Sequence, residues 1–458
     1  MLGHHVSEKL SNWLNGWAFD PLACMPMVVV LFLITVDWYD PLTLSSGLAM
    51  LIAMSPVWLP LYFGVFFWIS WIDYIRFLFW FSQDYILVEI QLPPEVLKSP
   101  LAMETFLATL WNAGSETTYI QRIWRGSYRP IWSLEIASNE GRIGFYIHMR
   151  SGWRNIVEAR LYAQFPEAKA HVVDDYVARI PFNLKEYDIF GCEYRKSSRA
   201  PNALPIKTYI DYGLDKDPKE EYKIDPISSI LELFTQIGKG EYFWMQIILK
   251  ARRNESEWYG FRFAKDDYKE PAAKEISRII KGAADRTAAL VKDKVEKEKV
   301  AIRGQQLLSE SEKRRIDQIE RSMSKLIFEA GIHVVYLAKK ENYVGINAGA
   351  IIRFFDAYKG QDYTREYNEL GVNGGTAMFD YPWQDFMKIR LRLSKENLFF
   401  RYKNRAYFYV PYDQVPVFMN TEELASLWHF PGSMVQTPGL NRVPSRRSEA
   451  PVNLPTGE

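Results

Sequence analysis

The chain has 458 residues, of which 48% are hydrophobic and 24% charged, with a formal net charge of +1. Charge this close to balance argues against a generally basic nucleic-acid binder, so any basic site must be local. Two cysteines, Cys24 and Cys192, are too few for a disulfide framework or a cysteine-based metal knuckle.

Residues 20–81 form one apolar block, and Pro41 to Ile72 contains no Asp, Glu, Lys, Arg or His. About 20 apolar residues suffice to cross a bilayer, so the block is an anchor. The polar stretch Asp37-Trp38-Tyr39-Asp40-Pro41 divides it into two predicted spans, about 20–36 and 42–72, with a single kinked span as the alternative. Pro56 and Pro60 are potential kinks in the second. Lys9 and Arg76 flank the pair on the outside, while the intervening turn carries only acidic charge. Positive flanks face the cytoplasm. This predicts an inner-membrane protein with its N-terminus and soluble mass on the cytoplasmic side. No signal-peptide cleavage pattern follows the first residues.

Beyond residue 81 about 375 residues remain, enough for more than one core. Tyr85–Leu92 alternates as a strand. Ser99-Pro100 opens a helix with a capping residue followed by proline at the first helical position. Pro130–Ala137 and Arg142–Arg150 read as a hairpin around Asn139-Glu140-Gly141, followed by a helix at Trp153–Gln164 and a strand at Lys169–Asp174. The order β-α-β-β-α-β is that of a ferredoxin-like module, placed at 82–180.

A second module is predicted at 181–340. Its first strand is Ile206–Tyr212, and a helix follows from Asp225-Pro226 to Ile237. A hairpin of Tyr242–Ala251 with Trp258–Phe263 comes next, then a charged helical excursion at about 271–303. A helix opened by the capping-box sequence Ser309-Glu310-Ser311-Glu312 and a closing strand Gly331–Ala338 complete it. The expected fold class is therefore α+β: a transmembrane helical hairpin and two tandem ferredoxin-like modules, the second with a helical insertion.

An α+β region at 341–436 contains the one cationic pattern of note. Met387–Leu393 and Leu398–Asn404 flank Ser394-Lys395-Glu396-Asn397, and pairing them as a hairpin (387–404) sets Leu391 opposite Phe400 on an apolar face. The other face then carries Lys388, Arg390, Arg392, Arg401, Lys403 and Arg405. Like charges directly opposite are destabilising, which marks this stripe as a candidate site for an anionic partner: an acidic protein surface, nucleic acid or anionic lipid. The proline-bearing tail, 437–458, reads as an extended linker or docking peptide.

No catalytic constellation emerges. His4, His5, His148, His171, His333 and His429 lack metal-ligand spacing. Gly238-Lys239-Gly240 lacks the rest of a phosphate-binding loop and reads as a helix end and turn. No catalytic, cofactor or metal residue is assigned, and the chain is read as non-enzymatic.

Three segments carry a resemblance: Lys98-Ser99-Pro100-Leu101-Ala102-Met103-Glu104; Gly238-Lys239-Gly240-Glu241 continuing to Trp244 and Gln246; and Thr421-Glu422-Glu423-Leu424-Ala425-Ser426-Leu427-Trp428-His429-Phe430-Pro431 with the proline-bearing tail. Together they resemble the membrane-anchored N-terminal region, a domain of unknown function, that accompanies HerA/FtsK-like ATPases of type IV secretion and conjugation. The resemblance implies an accessory subunit that docks a separate P-loop ATPase in a DNA- or protein-transfer system, since this sequence contains no nucleotide-binding domain. The alternative is a general membrane scaffold that binds anionic lipid. Self-association and direct nucleic-acid contact through the basic stripe are further expectations.

Overall fold

The computed structural model describes residues 31, 34, 35, 38 and 41–442, except 94–95, 97, 115, 117, 198–201, 216–223, 254, 259, 266–268, 291–307, 361–365, 377–382, 384, 410–413 and 433–438. Most of the first predicted span, of the Asp37–Asp40 turn and of the tail lies outside these residues. The chain divides into two compact units, residues 1–74 with 376–397, and residues 75–375 with 398–458.

α1 (Pro41–Ala53) lies in the first unit and is followed by α2 (Ser55–Phe81), whose residues from Ile75 onward belong to the second. Among the described residues α2 is the one helix long and apolar enough to cross a membrane. It begins thirteen residues later than the second predicted span, because the chain breaks at Met54 between two helices. Pro56 falls in the first turn of α2, where a missing N–H costs no helical bond. Pro60 lies inside the helix. Val57, Leu61, Phe63, Phe66 and Phe67 are all exposed.

The second unit is built on a nine-stranded antiparallel sheet. Its first half comprises β1 (Tyr85–Gln91), α3 (Pro100–Leu110), β2 (Ile131–Asn139), β3 (Arg142–Arg150), α4 (Arg154–Gln164) and β4 (Lys169–Val173). These agree closely with the sequence-derived elements. The strands lie in the order β4-β1-β3-β2. Glu140 and Gly141, both with positive φ, turn the β2–β3 hairpin.

The second half keeps the same plan with different strands from those expected. It consists of β5 (Tyr187–Lys196), α5 (Ile227–Thr235), β6 (Glu241–Ala251), β9 (Ile327–Lys339), α8 (Gly345–Ile352) and β10 (Leu370–Gly375). Their order, β10-β5-β9-β6, repeats fourth-first-third-second. The predicted opening strand 206–212 is instead a run of turns and irregular chain. Its alternation is spent on burial, with Ile206 and Tyr209 inside the main core. The predicted partner of β6 at 258–263 pairs elsewhere: β7 (Glu255–Trp258) and β8 (Phe261–Lys265) form their own ribbon. The strand expected to close the module is its third strand, β9. Between β6 and β9, therefore, the second half carries an insertion: β7, β8, α6 (Lys269–Leu290) and α7 (Glu310–Ser324). The Ser309–Glu312 capping box is formed as the sequence indicates.

The halves join edge to edge through their second strands, with Ile131–Asn139 paired against Tyr242–Lys250. β9, at thirteen residues, also pairs at its start with β11 (Val417–Asn420). One sheet face is covered by α3, α4, α5, α8 and the short helix α10 (Thr421–Leu427), which bury residues such as Phe106, Leu161, Phe234, Ile351 and Leu424 against Leu134, Ile136 and Ile147. The opposite face packs Trp244, Val335 and Leu337 against Tyr176, Leu398, Phe399 and Tyr402.

The largest departure concerns the basic stretch. Residues expected as a hairpin form one helix, α9 (Ile389–Lys403). Asp385 supplies its N-terminal cap, its two carboxylate oxygens accepting from the backbone N–H groups of Arg390 and Leu391 at 2.8 Å. Arg392 and Glu396 pair one turn apart at 3.2 Å. The would-be turn Ser394–Asn397 contains good helix formers, and a helix removes the opposed like charges that a hairpin would impose.

Candidate functional site

On the second face of the sheet, each central strand places one polar side chain in a common row. Direct register runs Glu193–His333–Gln246–Glu135–Tyr146–Glu89–His171. The row crosses seven strands, from β5 to β4. Period-2 alternation puts these groups on one face while their neighbours point into the apolar core opposite. Glu135 and Gln246 are fully buried, and His333 and Glu193 nearly so.

Buried polar groups are tolerated mainly when paired, and the row is paired around Glu135, while Glu193 Oε1 and His333 Nε2 lack a hydrogen-bond partner. Glu135 accepts from Ser133 Oγ at 2.7 Å, Tyr176 Oη at 2.8 Å and Gln246 Nε2 at 3.1 Å. Arg405 completes it with a two-pronged contact, Nε to Oε1 at 2.9 Å and Nη2 to Oε2 at 3.1 Å. The same guanidinium contacts Asp175. Tyr176 and Tyr402 share a hydroxyl–hydroxyl bond of 2.9 Å. Further along, Arg401 pairs with Glu193, and His333 Nε2 lies 3.8 Å from that carboxylate. At the far end, His171 Nε2 is 3.1 Å from Glu89.

The electrostatics follow from burial and these pairs. Burial, reinforced by the neighbouring Arg401 charge, pushes His333 down to about 3. Burial and then Arg405 hold His148 well below its ordinary value. Burial pushes the Glu193 carboxyl up, while Arg401 and Arg195 pull the other way. Burial opposes charge on Arg405, but Glu135 and Asp175 outweigh it and keep the guanidinium firmly protonated.

The six cationic candidates therefore divide. Arg401 and Arg405 are buried or nearly so and committed to carboxylates inside the fold. Lys388, Arg390, Arg392 and Lys403 are exposed. Exposed apolar side chains, Trp383, Met387, Ile389 and Leu393, accompany the first three. The continuous six-residue stripe expected from a hairpin is not formed, because Arg401 on α9 turns to Glu193, and Arg405, past the helix end with φ +50°, turns to Glu135 and Asp175.

The resembling segments also have structural roles. Glu104, Thr421 and Glu422, from the first and third segments, meet in one buried cluster. Lys325 Nζ contacts Glu104 at 2.6 Å and Glu422 at 3.6 Å, Thr421 Oγ1 donates to Glu104 at 3.1 Å, and Arg321 pairs with Glu422 at 3.1 Å. Asn420 and Glu423 form a reciprocal cap on α10. Glu423 also takes the buried ammonium of Lys196 at 2.7 Å. His429 bridges Asp225 at 3.1 Å and the Ala425 carbonyl at 2.8 Å. In the second segment, Glu241 caps Gly238 N at 2.6 Å and accepts from the Tyr336 hydroxyl, while Gln246 belongs to the polar row.

The row itself escaped the sequence reading, although its signal is visible. Six of the seven contributing strands set a Glu, Gln or His among apolar neighbours, as in Ile-Leu-Val-Glu89-Ile and Trp-Met-Gln246-Ile-Ile, and β3 supplies Tyr146. Only the register between strands reveals that these interruptions align. No protein-family model matches this chain, and no curated protein sequence matches it.

Proposed function

We propose that this chain is a membrane-anchored, non-enzymatic accessory subunit whose soluble body is a platform for a partner. The observation that carries the reading is α2. Its apolar run is exposed along Val57–Phe67, while Ile75 and Trp80 near its end are buried. An apolar surface of this length suits a bilayer. The partner implied by the sequence resemblance is a HerA/FtsK-like P-loop ATPase supplied in trans, in a type IV secretion or conjugation-like system. The flanking-charge pattern supports an inner-membrane location with the platform in the cytoplasm. The repeated fourth-first-third-second strand order supports reading the two halves as tandem ferredoxin-like modules joined through their second strands.

Lys388, Arg390 and Arg392, exposed beside one another, are the cations placed to meet an acidic partner. Purifying the full chain from detergent-solubilised membranes tests this: recovery of a P-loop ATPase that is lost in Lys388→Glu/Arg390→Glu/Arg392→Glu supports the reading. Its absence from the wild-type preparation counts against it. A second reading, an anionic-lipid-binding scaffold, is favoured by the exposed Trp383, Met387, Ile389 and Leu393 beside those cations, a composition suited to a membrane interface. Spin labels at position 389 in nanodiscs separate the two, since immersion that depends on anionic lipid favours the second.

A further inference from the structure

A cavity of about 600 Å³ opens in the second unit, toward the β4 end of the polar row. That volume is ordinary for a small-molecule site, which spans roughly 300–1,000 Å³. Glu89 and Tyr146 of the row line it, with Asn139 and Arg142 flanking the β2–β3 turn and Asp174 and Arg179 beyond β4. A further wall is Gly439–Asn441, which is strapped to β3. Ile143 N–H donates to the Gly439 carbonyl at 2.7 Å, and Asn441 N–H donates to the Ile143 carbonyl at 3.0 Å. A Cβ at Gly439 would collide with the Gly141 carbonyl, so only glycine permits this approach.

The chemistry left open to a ligand is mixed and balanced. The four charged residues lining the cavity are two arginines and two carboxylates. A strongly charged ligand therefore meets a like charge beside each opposite one, which is unfavourable. Two amides are fixed with opposite ends open. Asn139 Oδ1 accepts from Trp244 Nε1 at 2.9 Å, which leaves its Nδ2 as a donor. Asn441 Nδ2 donates to Glu89 at 2.8 Å, which leaves its Oδ1 as an acceptor. Among the described residues the Arg142 guanidinium makes no hydrogen bond or ion pair, and Arg179 reaches only Asp174, at 3.8 Å. The aromatic rings present no face for stacking, since Tyr146 and Tyr176 are both buried. Tyr176 gives its hydroxyl to Glu135 at 2.8 Å. Burial, with the Glu89 charge, keeps the Tyr146 phenol protonated by raising its pKa above the ordinary range. A hydroxyl group both donates and accepts. Fixed donors beside fixed acceptors, without net charge or an aromatic face, match a compound built of hydroxyl groups.

We propose that this cavity binds a neutral polyhydroxyl ligand, a sugar ring. The proposal is independent of the membrane anchor and of any ATPase partner, since every lining residue belongs to the second unit. The test uses the full chain in a polyoxyethylene detergent, which carries no sugar, and reads saturation-transfer NMR during titration. The probes are D-glucose, N-acetyl-D-glucosamine, maltose, the anion D-glucuronate and the cation D-glucosamine. A neutral probe is expected to bind more tightly than either charged one. Preference for maltose over D-glucose points to the end of a glycan and the reverse to a free sugar, and both support the site. Arg142→Gln and Asn441→Ala are each expected to weaken the best neutral probe about fivefold, the effect of one lost hydrogen bond. Arg142 is exposed, so Arg142→Gln serves if Asn441→Ala unseats the strap. Absence of saturation transfer to every neutral probe, tighter binding of D-glucuronate or D-glucosamine, or unchanged affinity in folded Arg142→Gln overturns the proposal.

Discussion

The two halves of α9 share a composition and differ in what their charges do. Lys388, Arg390 and Arg392 stand exposed beside Trp383, Met387, Ile389 and Leu393, whereas Arg401 and Arg405 reach the polar row and neutralise Glu193, Glu135 and Asp175. These five of the stretch's cations, on α9 and just beside its ends, thus serve two ends, and position along the stretch decides which. The first half presents charge outward. The second half lets a sheet keep a row of polar groups inside its fold. A similar division runs along α2, exposed and apolar through Phe67 and buried at Ile75 and Trp80.

The sharpest way to break this contrast is to remove the central acceptor. Glu135→Ala strands Arg405 in a buried site with Asp175 as its remaining carboxylate, and loss of one member of a buried pair costs about 3–5 kcal/mol. Urea unfolding of the full chain in detergent should show that loss as a lower midpoint.

Acid should act on the same region. His333 and His148 have folded pKa values depressed below the ordinary value of 6.5, so as pH falls below 6.5 the unfolded chain takes up protons that the folded chain refuses. Stability then falls by up to ~1.4 kcal/mol per pH unit for each, continuing toward pH 3 for His333. His429 is raised, because Asp225 and the neighbouring carbonyls outweigh burial. Its contribution is therefore complete below pH 6.5, does not offset the acid loss, and fades as pH rises through its folded value. A melting-temperature series from pH 7 to pH 4.5 should fall steadily, and His333→Gln should flatten the slope.

Gly126→Ala probes the seat of α2. Its positive φ and contact with the Ile75 carbonyl predict a loss of more than about 1 kcal/mol, read by the same unfolding experiment. The smallest stability change belongs to the outward half: Lys388→Gln with Arg390→Gln and Arg392→Gln should stay within about 0.5 kcal/mol. The same triple variant should weaken partner or membrane association.

The first half of the sheet was legible in the sequence because each strand and helix is short, bounded by turn residues and paired with near neighbours. The second half hid its plan behind the insertion between β6 and β9, which separates two pairing strands and let Trp258–Phe263 pass for a neighbour. Ile206–Tyr212 alternates like a strand, yet its alternation reflects burial of a non-repetitive segment. Reading the basic residues as a hairpin placed all of them outward, whereas the structure has a helix there. Period-2 and helical spacing coincide over short apolar runs, and Asp385, the cap that selects the helix, lies outside the segment that carried the pattern. The polar row depended on register between strands whose paired row residues lie as far apart in the chain as Glu193 and His333, which no local window contains.

The central claim, that one basic stretch is half internal support and half free surface, is tested most directly by two matched substitutions. Arg405→Met and Arg390→Met remove the same charge and keep a similar stem. Equilibrium urea unfolding of the full chain in one detergent should show Arg405→Met losing about 3–5 kcal/mol and Arg390→Met remaining within about 0.5 kcal/mol of wild type. Equal losses, or a larger loss for Arg390→Met, would contradict the account.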